Sequence, residues 1–258
     1  MIYRFRVLLV LIFIISCSFI VNEGSDKNRL ANFIDELNKK EEITSTPLII
    51  IDGFKYNLDI NHLDSMLCFS GIDSIIYLQK NSDVAISVYG DAAKGGVVLV
   101  TTSLIKNYQN LSIKIKQQAE KMANSTINDN YDILIKFTYP KLVDLMGGSE
   151  KMKDIIAKAT EGLKAKGMII DNYKIGDVGK IFVAGKELHC IISDEISMKT
   201  NDGHLLINSN LLAVSMDKGE NWYFMDCNMG KERLLQLLPA FNDNLIIPAK
   251  QNPVKIDN

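Results

Sequence analysis

Pro47-Leu-Ile-Ile-Ile-Asp-Gly53 opens the stretch that decides the first half of the fold, and Gly95-Gly-Val-Val-Leu-Val-Thr-Thr102 closes it. Leu48 to Ile51 is an unbroken apolar run ended by Asp-Gly, the pattern of a buried strand leading into a turn. Val97 to Thr102 reads as another strand, and Ile75-Ile-Tyr-Leu78 as one between them. A helix is predicted after the first strand, with Asn61 as its cap, Leu63, Met66 and Leu67 as its apolar face through Cys68, and Gly71 as its breaker. Ala85 to Tyr89 reads as a single helical turn. Glycines at 90, 95 and 96 permit positive φ and close backbone approach in the connection that follows. The run Gly90-Asp-Ala-Ala-Lys-Gly-Gly96 lacks the spacing of a phosphate cradle and leads into a strand rather than a helix, so no nucleotide site is predicted there.

Working downstream, Ser112 to Ser125 predicts a helix with Ile115, Ala119 and Met122 on one side. Asn130 to Met146 predicts a second, kinked near Phe137 by Pro140. Gly147-Gly148 ends it, and Ser149 is expected to cap a third helix that Gly167 stops. From Met168 the period changes to short β-rich runs. Turn signals separate them at Gly176-Asp177, Ala184-Gly185, Asn201-Asp-Gly203 and Asp217-Lys-Gly219, the mark of an antiparallel meander. Gly230 to Leu238 reads as a last short helix closed by Pro239. The expected fold class is therefore α+β, a small α/β domain followed by three helices and a curved antiparallel sheet.

The order of motifs from Pro47-Leu-Ile-Ile-Ile-Asp-Gly53 through Ile72-Asp-Ser-Ile75 and Tyr89-Gly90 to Gly95–Thr102 resembles the plug domain of TonB-dependent outer-membrane receptors. The similarity departs where Gln79-Lys80-Asn81 stands in place of the family's Lys-Asp, and where the connection to Tyr89 is longer. It implies a cell-envelope setting and contacts with other proteins. A receptor barrel needs many strands of ~9 to 11 residues, and the rest of this chain does not supply them. The helix-then-meander half is similar in element order to the cystatin-type cone of the nuclear-transport-factor-like superfamily. Tyr139-Pro-Lys-Leu-Val143, Gly147-Gly148 and Trp222-Tyr-Phe224 together resemble exported proteins of Bacteroidetes-type bacteria.

Residues 1–21 carry Arg4 and Arg6, an apolar run from Val7 to Ile15 and then small residues, the layout of a secretory signal. Two endings remain open. Ile14-Ile-Ser-Cys17 reads as a lipobox that would leave Cys17 lipidated, and Ser16-Cys-Ser18 as an ordinary cleavage site. The expected address is the periplasm or, through that lipid, the outer membrane, with no other membrane contact. The domains expected are a helix and linker over 22–46, a plug-like domain over 47–103 and a cystatin-type domain over 108–250.

Charge is nearly balanced, 29 basic against 31 acidic residues, and no basic cluster marks a phosphate-backbone footprint, so nucleic acid is not an expected partner. Beyond the signal the cysteines are Cys68, Cys190 and Cys227, an odd number. Cys190 and Cys227 fall on strands of one domain, where a bridge and two buried thiols are both open readings. Zinc held by His189, Cys190 and Cys227 is not expected, because adjacent strand residues point to opposite faces. No metal or other cofactor is expected.

Ser215-Met-Asp-Lys-Gly-Glu-Asn-Trp222 matches the Asp-box pattern with Asn221 in place of threonine. A single copy argues for a braced hairpin and against a propeller. Tyr139 and Trp222 are candidate ligand-lining aromatics or core residues. His189 is the candidate acid or base of a pocket enzyme of isomerase or dehydratase type, with Asp194 or Glu195 near it in sequence. Its bland alternative is a half-exposed strand histidine. The leading expectation is a non-catalytic envelope protein that binds a protein partner or a small ligand. A structural accessory subunit of an outer-membrane complex is a further alternative.

Overall fold

The computed structural model describes residues 28–56 and 59–256. The expected signal and Cys17 lie outside the described residues. The chain is α+β and divides into two units, one ending at Lys106 and the other beginning at Asn107.

In the first unit the apolar runs become strands β1 (Leu48–Ile51), β2 (Phe54–Lys55), β3 (Ile72–Leu78) and β4 (Val97–Thr102), arranged in the order β2-β1-β4-β3. β1 runs parallel to β4, with Leu48 opposite Val97 and Ile50 opposite Leu99. β2 and β3 pair antiparallel to β1 and β4 respectively. Helices α1 (Arg29–Lys39), α2 (Ile60–Ser70) and α3 (Asp83–Tyr89) complete the unit. Because side chains alternate along a strand, Leu48, Ile50 and Val97 share one face and pack with Ala85 and Ala93. Val98 and Val100 turn to the other face. There Tyr77, the cross-strand neighbour of Val98, meets Phe33 of α1 edge-on at 6.3 Å.

Several local expectations change. Asp59, not Asn61, caps α2, its carboxylate accepting from the backbone N–H groups of Asn61 and His62. α3 starts at Asp83, two residues earlier than the apolar pattern placed it, with Ser82 as its cap. The expected linker is part of the core: Ile43 is buried and Thr44 N donates to Gly95 O at 2.8 Å. At Gly96, φ is +94° and a Cβ would lie 2.6 Å from Ile43 Cγ2, so only glycine fits. The N-terminal helix is likewise docked. Asp64 of α2 accepts from Leu30 N at 2.8 Å and Ala31 N at 3.1 Å, serving as a cap from another helix.

The second unit contains most of α4 (Ser103–Ile127), then α5 (Tyr131–Phe137), α6 (Pro140–Leu145), α7 (Ser149–Ala165) and α8 (Lys231–Leu237). α4 begins nine residues ahead of its expected start and ends two past its expected end. The expected kink near Phe137 is a full break: Tyr139 is extended before Pro140, which takes the first helical position where its missing N–H costs nothing. Gly148, with φ +93°, precedes α7, and Ser149 is its first helical residue rather than its cap.

The sheet comprises β5 (Ile169–Val178), β6 (Phe182–Ala184), β7 (Glu187–Thr200), β8 (Gly203–Ser215), β9 (Tyr223–Asp226) and β10 (Val254–Ile256). β7 pairs with β8 along thirteen residues, while β5 and β6 share its other side and β9 and β10 share the far side of β8. Gly176-Asp177, expected as a turn, is instead a register shift within the β5–β7 pairing. A Cβ at Gly176 would meet Ser193 Oγ at 2.3 Å, and this close crossing is what glycine permits.

Candidate functional site

Strand parity sorts the buried polar groups of the second unit into two sets. On β7, Leu188, Cys190, Ile192, Asp194 and Met198 occupy one face, and Glu187 and His189 the other. His189 and Asp194 therefore do not converge. The carboxylate that His189 meets is Glu187, two residues away on the same face.

His189 is fully buried rather than half-exposed. Its Nε2 lies 3.0 Å from Glu187 Oε2, and Tyr139 Oη donates to Glu187 Oε1 at 2.9 Å. Tyr139 is also fully buried, and Lys141 Nζ sits 5.8 Å from its ring centroid while donating to Leu237 O. Phe241 covers the imidazole, ring centroids 5.9 Å apart. Burial works to raise the Glu187 pKa, but the hydrogen bonds from His189 and Tyr139 outweigh it and hold the carboxyl below its usual range. Burial, reinforced by that carboxylate, pushes the Tyr139 phenol far up. The result is an ionised glutamate clamped between two buried donors. It ties the start of α6 to β7, and His189 Nδ1 is left buried without a hydrogen-bond partner.

Trp222 is core. It is buried, its Nε1 donates to Gly219 O at 3.1 Å, and its backbone N–H donates to Gln118 Oε1 on α4 at 2.8 Å. The Asp-box geometry forms despite the altered residue. Ser215 Oγ donates to Asp217 Oδ1 at 2.9 Å and accepts from Gly219 N, while Asp217 accepts from both the backbone and the side chain of Asn221. Asn221 thus joins Ser215 and Asp217 in bracing the hairpin. Burial works to raise the Asp217 pKa, and these hydrogen bonds bring it down overall.

On the opposite face of β7, Asp194, expected beside His189, belongs instead to a separate cluster. It stands opposite Ser209 of β8 and Ile175 of β5, with Asp226 of β9 and Tyr173 of β5 close by. Ser209 Oγ is 3.4 Å from Asp226 Oδ1 and accepts from Asn228 Nδ2 at 3.0 Å. Asp194 Oδ1 is buried with no hydrogen-bond partner. Burial pushes its carboxyl up to about 6; the Asp226 charge adds to the rise, and hydrogen bonds from Tyr173 and Ser209 oppose it. Buried polar residues on alternating β7 positions, read as two separate sets, are the sequence signal that finds both clusters.

Cys190 and Cys227 are free thiols, which decides between bridge and buried hydrophobe. Burial pushes Cys227 up to about 12, with Asp226 and Asp194 adding to the rise, and burial pushes Cys190 far up, so neither is a thiolate at neutral pH. Among the described residues, no group of three or more His, Cys, Asp or Glu side chains is arranged to hold a metal ion. Among them too, no helix is long and apolar enough to cross a membrane.

No protein-family model and no curated protein matches this sequence.

Proposed function

We propose that this chain is a non-catalytic protein of the cell envelope that works by binding, its plug-like unit holding a protein partner without any barrel to close. The observation that carries the reading is the edge strand β3. It is seven residues long, stands last in the sheet order, and on its outer side pairs with no strand among the described residues. Ile76, Tyr77 and Leu78 along it are half-buried; a register shift lies between Ile72 and Ser74, and Arg29 Nη1 donates to Ile72 O at its start and Lys80 N to Glu42 O just past its end, leaving the stretch between them open. A long, apolar edge is a ready template for an added strand, with main-chain hydrogen bonds supplying affinity.

The parallel β1–β4 pair with its flanking helices supports the resemblance to a receptor plug, and helices followed by a meander support the cone-type reading of the second unit. Export, and lipid anchoring through Cys17 if the lipobox is used, belong to the same proposal. The sealed position of His189 supports binding over turnover. A general acid or base must reach its substrate, whereas this imidazole is covered by Phe241 and engaged with Glu187.

The test is affinity capture from the envelope with the native chain and with Ile76→Lys. A lysine on an edge strand discourages strand addition. Capture of one defined partner by the native chain, lost in a variant of unchanged thermal stability, is the expected result. Equal capture by both chains overturns the assignment to β3.

A further inference from the structure

We propose that a cleft in the second unit, between the end of β9 and the C-terminal segment, binds a small organic anion with an apolar body. The cavity is about 330 Å³, within the ~300 to 1,000 Å³ range of small-molecule sites. Asn228 and Lys231 line one side, and Ile246, Ile247, Pro248 and Lys250 the other. Neither lysine has an ion-pair partner among the described residues. Asp243 also lines the cleft, so the charges of its lining leave one net positive, suited to a monoanion rather than to a dianion or a cation.

The apolar wall is built from residues that gain by being covered. Ile246 is 80% exposed, and it adjoins half-buried Ile247 and exposed Pro248 in the same wall, so the apolar surface there is contiguous rather than a single side chain. The segment carrying it is held at both ends. Asn242 Nδ2 donates to Val183 O at 2.7 Å before it, and β10 pairs with β8 after it. The wall is thus anchored rather than a loose tail. The floor is fixed too, since the Asn228 amide is held by Ser209 Oγ and its backbone N–H by Asp226 Oδ1 at 2.7 Å. A fixed floor, an anchored apolar wall and two cationic side chains are the elements that recognise a carboxylate carrying a hydrocarbon body.

This inference rests on the reading of the chain as a binding protein and adds a small ligand to it. The probe is octanoate, titrated calorimetrically into the full chain, with octylammonium and octanol as the other arms. Saturable binding of octanoate, weaker or absent binding of the other two, and loss of affinity on raising salt are expected. Lys231→Gln and Lys250→Gln should each weaken octanoate about threefold, and together about tenfold, the scale of exposed charge contacts. Lys250 lies outside any helix or strand, so its variant guards against misfolding at the start of α8. No saturable octanoate binding, equal binding of octanol, or affinity unchanged in the double variant overturns the proposal. Those outcomes leave capture through β3 untouched, so the two readings fail separately.

Discussion

Replacing Asp194 by Asn should make the second unit more stable at neutral and alkaline pH, with a gain that vanishes on acidification. Asp194 is 5% exposed, its Oδ1 has no hydrogen-bond partner and its carboxyl faces Asp226, and these surroundings push its pKa from 3.8 to about 6. The folded chain therefore holds this proton more tightly than the unfolded chain does. The associated stability is full below pH 3.8 and is lost as pH rises through about 6. At ~1.4 kcal/mol for each tenfold step, the complete loss is about 3 kcal/mol. Asn keeps hydrogen-bonding capacity for Tyr173 and Ser209 without the charge, and a net gain of about 2 kcal/mol at pH 8 is expected once imperfect replacement of those bonds is allowed for. Trp222 is the only tryptophan and lies buried in this unit, so its fluorescence during urea unfolding reports the right part of the chain. The difference between variant and native chain should grow steadily from pH 4 to pH 7. Taking the difference removes groups titrating the other way, such as Glu187 and Asp217, whose lowered pKa values stabilise at higher pH. A difference independent of pH, or a variant less stable at pH 8, refutes the reasoning.

Glu187→Gln, which leaves Tyr139 and His189 facing a neutral amide, should cost about 2 to 3 kcal/mol by the same fluorescence assay, the scale for hydrogen bonds to a charged group. Asp64→Ala should cost about 1 kcal/mol through loss of the α1 cap, with backbone amides of Leu30 and Ala31 exchanging hydrogen faster. Gly96→Ala should destabilise the first unit by more than 1 kcal/mol, from positive φ and the clash with Ile43 together, read as a lowered melting temperature. Of the three described cysteines, only exposed Cys68 should react promptly with a thiol reagent in the native chain, while Cys190 and Cys227 become reactive on unfolding. Prompt reaction of all three would contradict the buried-thiol assignment.

Much of the architecture was legible because it is written in local pattern. Leu48–Ile51 and Val97–Thr102 announce buried strands by continuous apolarity, and Asn201-Asp-Gly203 and Asp217-Lys-Gly219 mark real hairpin turns. Ser215–Trp222 folds as its motif indicates. What escaped was set by partners far apart in the chain. Nothing near Leu30 announces that Asp64 will cap its helix, and a polar linker conceals that Ile43 fills the space above Gly96. Gly176 reads as a turn because glycine serves turns and bulges alike, and only the register with β7 separates them. The pairing of His189 with Asp194 or Glu195 followed nearness in sequence. Parity along β7 excludes Asp194 from that face, and Glu187, at the alternate position, was readable by the same rule. Tyr139 required tertiary structure, being brought to Glu187 from 48 residues away.

Site-specific photocrosslinking in the envelope tests the central claim most directly. A photoreactive residue at Ser74, exposed on β3, is compared with one at Lys151, exposed on α7. A single protein adduct at Ser74, absent at Lys151 and lost when Ile76→Lys is added, is the predicted result. Adducts at Lys151 alone, or at both positions alike, would contradict binding through the edge of the plug-like unit.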